Sequence, residues 1–174
     1  MTSTLLRAHG IEAPLPNGFE GRIFVRSVIA DEVTFPVAHF ATFALPVEVG
    51  DFGSGAVNLM APHDIFVSLF EYGPESLGQA LFARQGMPRM LTTDDFRPYV
   101  LRRGLAGQSG TQWFFTDSGR PFTLYVVLGS HAWRQALVPR VNELIGSVAI
   151  AAPATPPART TQGPPPMPPG TRWN

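Results

Sequence analysis

The chain has 174 residues, 44% of them apolar, no cysteine, and 13 basic against 13 acidic residues. That length suits one domain with a sizeable core. The missing cysteines exclude disulfides, thiolate zinc sites and a cysteine nucleophile. A net charge of zero lacks the broad electrostatic attraction on which nucleic-acid binders rely, so no nucleic-acid partner is expected. All 13 basic residues are arginine, consistent with a base-composition bias or with a use for bidentate anion contacts. Thirteen phenylalanines against three tyrosines and three tryptophans point to a packed core rather than a wet aromatic face.

The opening MTSTLLRAHGIEAPLPNG lacks an apolar secretory core, and no stretch approaches the ~20 apolar residues of a membrane span. The expectation is a cytoplasmic protein without membrane insertion. Residues 1–17 read as a loose arm. Arg22 to Arg26 largely alternates polar with apolar and predicts a strand with one solvated face. Ala38 to Leu45 predicts a second strand, closed by Pro46. Val47 to Gly55 reads as a loop, and Ala56 to Met60 as a short strand. Asp64 to Tyr72 is apolar on both faces through Ile65, Phe66, Val67, Leu69 and Phe70, which predicts a central strand covered on two sides.

Gly73-Pro74-Glu75 has the chemistry of a helix start, and Leu77, Ala80, Leu81 and Arg84 continue it as a stripe to Gly86. Thr92 to Asp95 resembles a helix N-cap, cut short by Pro98. Tyr99 to Arg103 is a strand candidate. Residues 111–128 predict a hairpin turning at Asp117-Ser118-Gly119-Arg120. Ser130 is positioned to cap a last helix with Trp133, Leu137, Val141, Leu144 and Ile145 on its buried face. Pro139 predicts a kink or break near Gln135. Ser147 to Ile150 closes the domain, 18–150, as a short strand.

From Ala151 the composition changes. Eight of the 18 prolines fall in residues 151–174, where the only charges are Arg159 and Arg172. This predicts a disordered proline-rich tail that cannot bury enough apolar surface to offset its ordering entropy.

The fold class is therefore α+β: a twisted antiparallel β-sheet with helices packed on it. The element order, and the closing run Val141-Asn142-Glu143-Leu144-Ile145-Gly146-Ser147-Val148-Ala149-Ile150, resemble the Mog1/PsbP-like domains over residues 18–150. The resemblance implies a non-catalytic binding module, since members bind a small GTPase, dock on photosystem II or act as chaperones for secreted effectors. No motif matches position by position, so no functional residue carries over. Photosystem subunits also need a targeting segment that is not evident here.

Candidate chemistry is sparse. His63-Asp64 has the residue types of an oriented general base, but neighbours on a strand point to opposite faces. Ser54 and Ser109, each flanked by glycine, do not complete a nucleophile elbow. Asp94-Asp95 and Asp31-Glu32 have the residue types for acid–base work, and capping explains the former equally well. His9, His39, His63 and His131 lack ligand spacing, so neither a metal nor another cofactor is expected, and no catalytic residue is assigned. Arg84, Arg89, Arg97, Arg102 and Arg103 form a basic run suited to a carboxylate- or phosphate-bearing partner, or to a solvated surface. Pro164 to Pro169 favours polyproline II, and Trp173 beyond it has the character of a binding anchor.

The expected function is a non-catalytic protein-interaction module, an adaptor, chaperone-like or assembly component, with a protein partner. The alternative is an enzyme or small-ligand binder of unidentified reaction. A cavity beside Arg97, Arg102 and His63 favours the latter. An apolar groove on an open sheet face favours the module.

Overall fold

A computed structural model describes residues 4–26, 34–47, 50, 52–53, 55–98 and 105–153. Among the described residues, two antiparallel sheets and one α-helix make up the fold, which is α+β as the sequence predicts. The larger sheet has strands β3 (Glu20–Phe24), β4 (Val37–Ala41), β5 (Ile65–Glu71), β6 (Ser109–Asp117) and β7 (Arg120–Leu128), in the order β3-β4-β5-β7-β6. The smaller one orders β1 (Leu5–Ala8), β2 (Ile11–Pro14) and β8 (Ala149–Ile150) as β1-β2-β8. The helix α1 spans Arg134–Ser147.

β5 is central, as its doubly apolar pattern requires, and six of its seven residues are buried. The predicted hairpin is β6–β7. Its two-residue turn holds Ser118 at φ 52° and Gly119 at φ 76°, the doubly left-handed turn that matches strand twist.

Within residues 1–17, expected to be a loose arm, β1 and β2 instead form a second such hairpin over residues 5–14. His9 (φ 51°) and Gly10 (φ 73°) make its turn, and histidine is one of the residues that tolerates this conformation. Alternation buries Ile11 and Ala13, with Leu15 beyond them, and β2 pairs with β8, so the N-terminal segment is part of the core.

Four further expectations are corrected. Residues 73–86 do not form a helix. Pro74–Ser76 starts a 3-10 turn as its chemistry dictates, but Leu77 is extended and Gly78 is left-handed at φ 80°, so a separate turn follows at Ala80–Phe82. Leu77 and Leu81 are exposed and Phe82 is buried. Val57–Leu59 is a 3-10 turn rather than a strand. The last helix buries Leu137, Val141, Leu144 and Ile145 as expected, but Trp133 stands at its N-cap, 56% exposed. Pro139 does not break α1. Both Pro139 and Gln135 are exposed, so water can satisfy the carbonyl that loses its helical donor.

Strand register divides the large sheet into two faces. The inner face carries Ala38 and Phe40 from β4, Ile65, Val67 and Leu69 from β5, and Phe122, Leu124, Val126 and Leu128 from β7. These join the α1 stripe and the small sheet in one core. The segment 80–98 wraps the β6 edge. Arg84 and Gly86 exchange backbone hydrogen bonds with Thr116, and Arg97 does the same with Gly110. Between these two points Met87, Leu91 and Phe96 enter the inner core.

Candidate interaction face

The outer face is organised in cross-strand rows, because residues paired in register project to the same side. One row reads Glu20, Ala41, Phe66, Val127, Gly110. The next reads Arg22, His39, Ser68, Tyr125, Gln112, and the third Phe24, Val37, Phe70, Thr123, Phe114. The first row is sealed by the excursion after β4, where Phe43, Leu45, Val57 and Met60 pack on Ala41, Phe66 and Val127. Gly53 sits directly on the Phe66 ring, and a Cβ there would lie 2.3 Å from a ring carbon. No other residue fits that approach without displacing the cover.

The second row is polar across all five strands. His39 and Ser68 are fully buried, and the His39 ring lies 5.2 Å from both Phe24 and Phe66. The Arg22 guanidinium rests over Phe24 and donates to the carbonyls of Pro46 and Val47 at 2.8 and 3.2 Å. Towards the β6 edge the row opens. Gln112 is exposed, its amide 3.4 Å from Thr123 Oγ1, and Tyr125 is half-buried, with burial pushing its hydroxyl pKa above the usual 10.0. The two groups of the row with base or nucleophile chemistry are thus closed to a solute, while its amide and phenol donors remain accessible.

Around that open end runs a chain of ring contacts. Phe52 meets Tyr125 and Phe70 at 5.7 Å, Phe70 meets Tyr72 at 4.9 Å, and Phe82 bridges Tyr72 and Phe114 at 5.0 and 5.6 Å. Phe70, Tyr72, Phe114 and Tyr125 are half-buried, and Phe52 is 39% exposed. Part of the phenylalanine content therefore lies on a half-open face, contrary to the expectation that it all serves the core. These residues were not singled out in the sequence. The available signal was the polar His39 and Ser68 inside apolar strands.

The residues that were singled out are dispersed. Arg84 lies over the Trp113 ring at 4.9 Å. Arg97 is exposed, and the two arginines flank opposite ends of β6, six residues or about 20 Å apart. Arg89 donates to the carbonyls of Ile145 and Val148, tying down the C-terminal end of α1. Arg102, Arg103 and Trp173 lie outside the described residues, as do Ser54, Asp31, Glu32, the strand expected at Tyr99 to Arg103 and the tail from residue 154. Asp64 is buried. It accepts from the Ala61 N–H at 2.7 Å and the Thr42 hydroxyl at 3.3 Å, so it holds a turn, while His63 is exposed. Asp95 closes a capping box with Thr92.

A cleft of about 440 Å³ is lined by His9, Gly10, Phe35, Pro36, Glu71, Arg120, Ala152 and Pro153. At its base Arg120 makes a bidentate pair with Glu71, with Nε to Oε1 at 2.8 Å and Nη2 to Oε2 at 2.5 Å. The same guanidinium donates to the carbonyls of His9, Gly10 and Ala151. All five of its N–H groups are engaged, so Arg120 clamps the first hairpin and the C-terminal strand to the large sheet and has no donor left for an anion. Among the described residues no helix is long and apolar enough to cross a membrane. No family model matches the chain, and neither a curated protein nor a solved structure shows significant similarity to it.

Proposed function

We propose that the chain is a cytoplasmic, non-catalytic protein-interaction module that binds its partner through the aromatic strip of the outer face. The observation that carries this reading is the continuous ring chain Tyr125–Phe52–Phe70–Tyr72–Phe82–Phe114, half-open on the face of the large sheet opposite the main core. Aromatic side chains give large contact area for little rotamer entropy, and exposed ones concentrate binding energy. Burial of His39 and Ser68 supports binding over catalysis, because a base or nucleophile must reach a substrate. Zero net charge supports a protein partner over nucleic acid. A Mog1/PsbP-like relationship remains part of the proposal, supported by the antiparallel sheet and the C-terminal helix.

The test is affinity capture from native lysate with the full chain and with Phe114→Ser, both checked by circular dichroism. The reading expects a partner that the wild type retains and the variant loses. A partner held equally by both variants contradicts it.

A further inference from the structure

Residue 153 leaves the described fold at a particular place. The Ala151 N–H donates to the Gly10 carbonyl at 2.8 Å, and the Ala151 carbonyl accepts from Arg120 at 3.1 Å. Ala152 and Pro153 then line the cleft with Phe35, Pro36 and Glu71. The Glu71 N–H donates to Pro36, and the next residue, Tyr72, is the lower end of the aromatic strip. The residues beyond 153 therefore begin at the ends of β5 and β7, one residue from Tyr72 but on the opposite side of the sheet from the strip.

Its sequence has matching chemistry. Pro164, Pro165, Pro166, Pro168 and Pro169 favour polyproline II, which has no internal hydrogen bonds and presents bare carbonyls and proline rings. Such helices dock on aromatic grooves that offer a few side-chain donors. The strip supplies the rings, and Gln112 and Tyr125 supply an amide and a phenol as donors. No charged residue lies between Thr160 and Thr171, which suits a strip with no charged member.

The dimensions agree. From Tyr72 to Gln112 the strip covers four residues along the strands and two strands across, about 16 Å. Six residues of polyproline II extend about 19 Å, and the ten residues 154–163 reach about 30 Å when extended.

We propose that Pro164–Pro169 of the same chain lies across the aromatic strip as a polyproline II segment, masking the partner site until a partner displaces it. The proposal rests on reading the strip as a binding face. Tethering raises the effective concentration to the order of mM, so even a contact with Kd of about 100 µM is mostly closed.

The test uses the full chain and a variant carrying Pro165→Ser, Pro166→Ser, Pro168→Ser and Pro169→Ser, observed by aromatic NMR. The Tyr72, Phe114 and Tyr125 ring signals should differ between the two. A synthetic peptide spanning Gln162 to Thr171 should return the variant's signals to wild-type positions, and should act on the wild type only at about tenfold higher concentration or more. Identical ring signals in the two chains overturn the proposal, as does a peptide that leaves the variant unmoved. Differences that grow with protein concentration, with a doubled mass, make the occupant a second copy and overturn the intramolecular assignment. Phe114→Ser separates the two readings. If it loses the partner while the proline changes leave the strip unaltered, self-docking alone fails.

Discussion

The two faces of the large sheet are built from the same strands and end differently. On the inner face, Phe40, Leu69, Leu124 and Phe122 meet the α1 stripe and the small sheet, and all are nearly inaccessible. On the outer face, cover is complete over Phe66 and Val127 and extends over His39 and Ser68, but it stops at Tyr125 and Gln112, leaving aromatic rings half-exposed. Alternation along each strand makes such a division possible, because the two faces can be specified independently. The inner face is explained by stability. The open part of the outer face is not required by the core, and its composition suits recognition.

The largest expected effects separate the faces. Phe122→Ala should destabilise by about 3–5 kcal/mol, as a fully buried ring leaves a cavity. Phe114→Ala, half-exposed on the neighbouring strand, should cost about 1–2 kcal/mol by its smaller buried area. Urea melts measure both, and equal losses would erase the distinction.

A comparable effect tests how the small sheet is held. Arg120→Ala should cost about 3–5 kcal/mol, because Glu71 is left as a buried charge and three carbonyls lose a donor. A near-neutral result in the same melt would mean that the clamp contributes little.

Tyr125 gives a smaller, pH-dependent effect. Its folded pKa is raised by desolvation above 10.0, so the unfolded chain ionises first. Its contribution to stability is fully present below pH 10 and is lost as pH rises through the folded value. Ultraviolet titration of tyrosinate should show a late step that Tyr125→Phe removes. The smallest effect is at the other exposed aromatic: Trp133→Ala should change stability by only about 0.5 kcal/mol.

Period-two alternation exposes β3 to sequence reading, a run apolar on both faces exposes β5, turn chemistry places the β6–β7 hairpin, and apolar spacing finds α1. Local chemistry also gives the Thr92–Asp95 cap. It misleads at residues 73–86, where a favourable helix start is overridden by left-handed Gly78, and at Trp133, which falls on the helical stripe one turn too early to be covered. The β1–β2 turn at His9-Gly10 is readable in principle, since a two-residue loop ending in glycine joins two short apolar-containing runs. The outer-face site was not readable. It arises from register among strands more than a hundred residues apart, and one sequence does not state which residues stand opposite one another. Proximity in sequence placed Arg84, Arg89 and Arg97 together, whereas folding sends Arg84 and Arg97 to opposite ends of β6 and Arg89 to the end of α1; Arg102 and Arg103 lie outside the described residues.

The most direct test of the central claim compares the two exposed aromatic surfaces in one titration. With the captured partner in the calorimeter cell, Phe114→Ser should weaken binding at least tenfold, and Trp133→Ala should leave it unchanged. The reverse pattern would move the interface to the start of α1 and contradict the assignment of function to the outer sheet face.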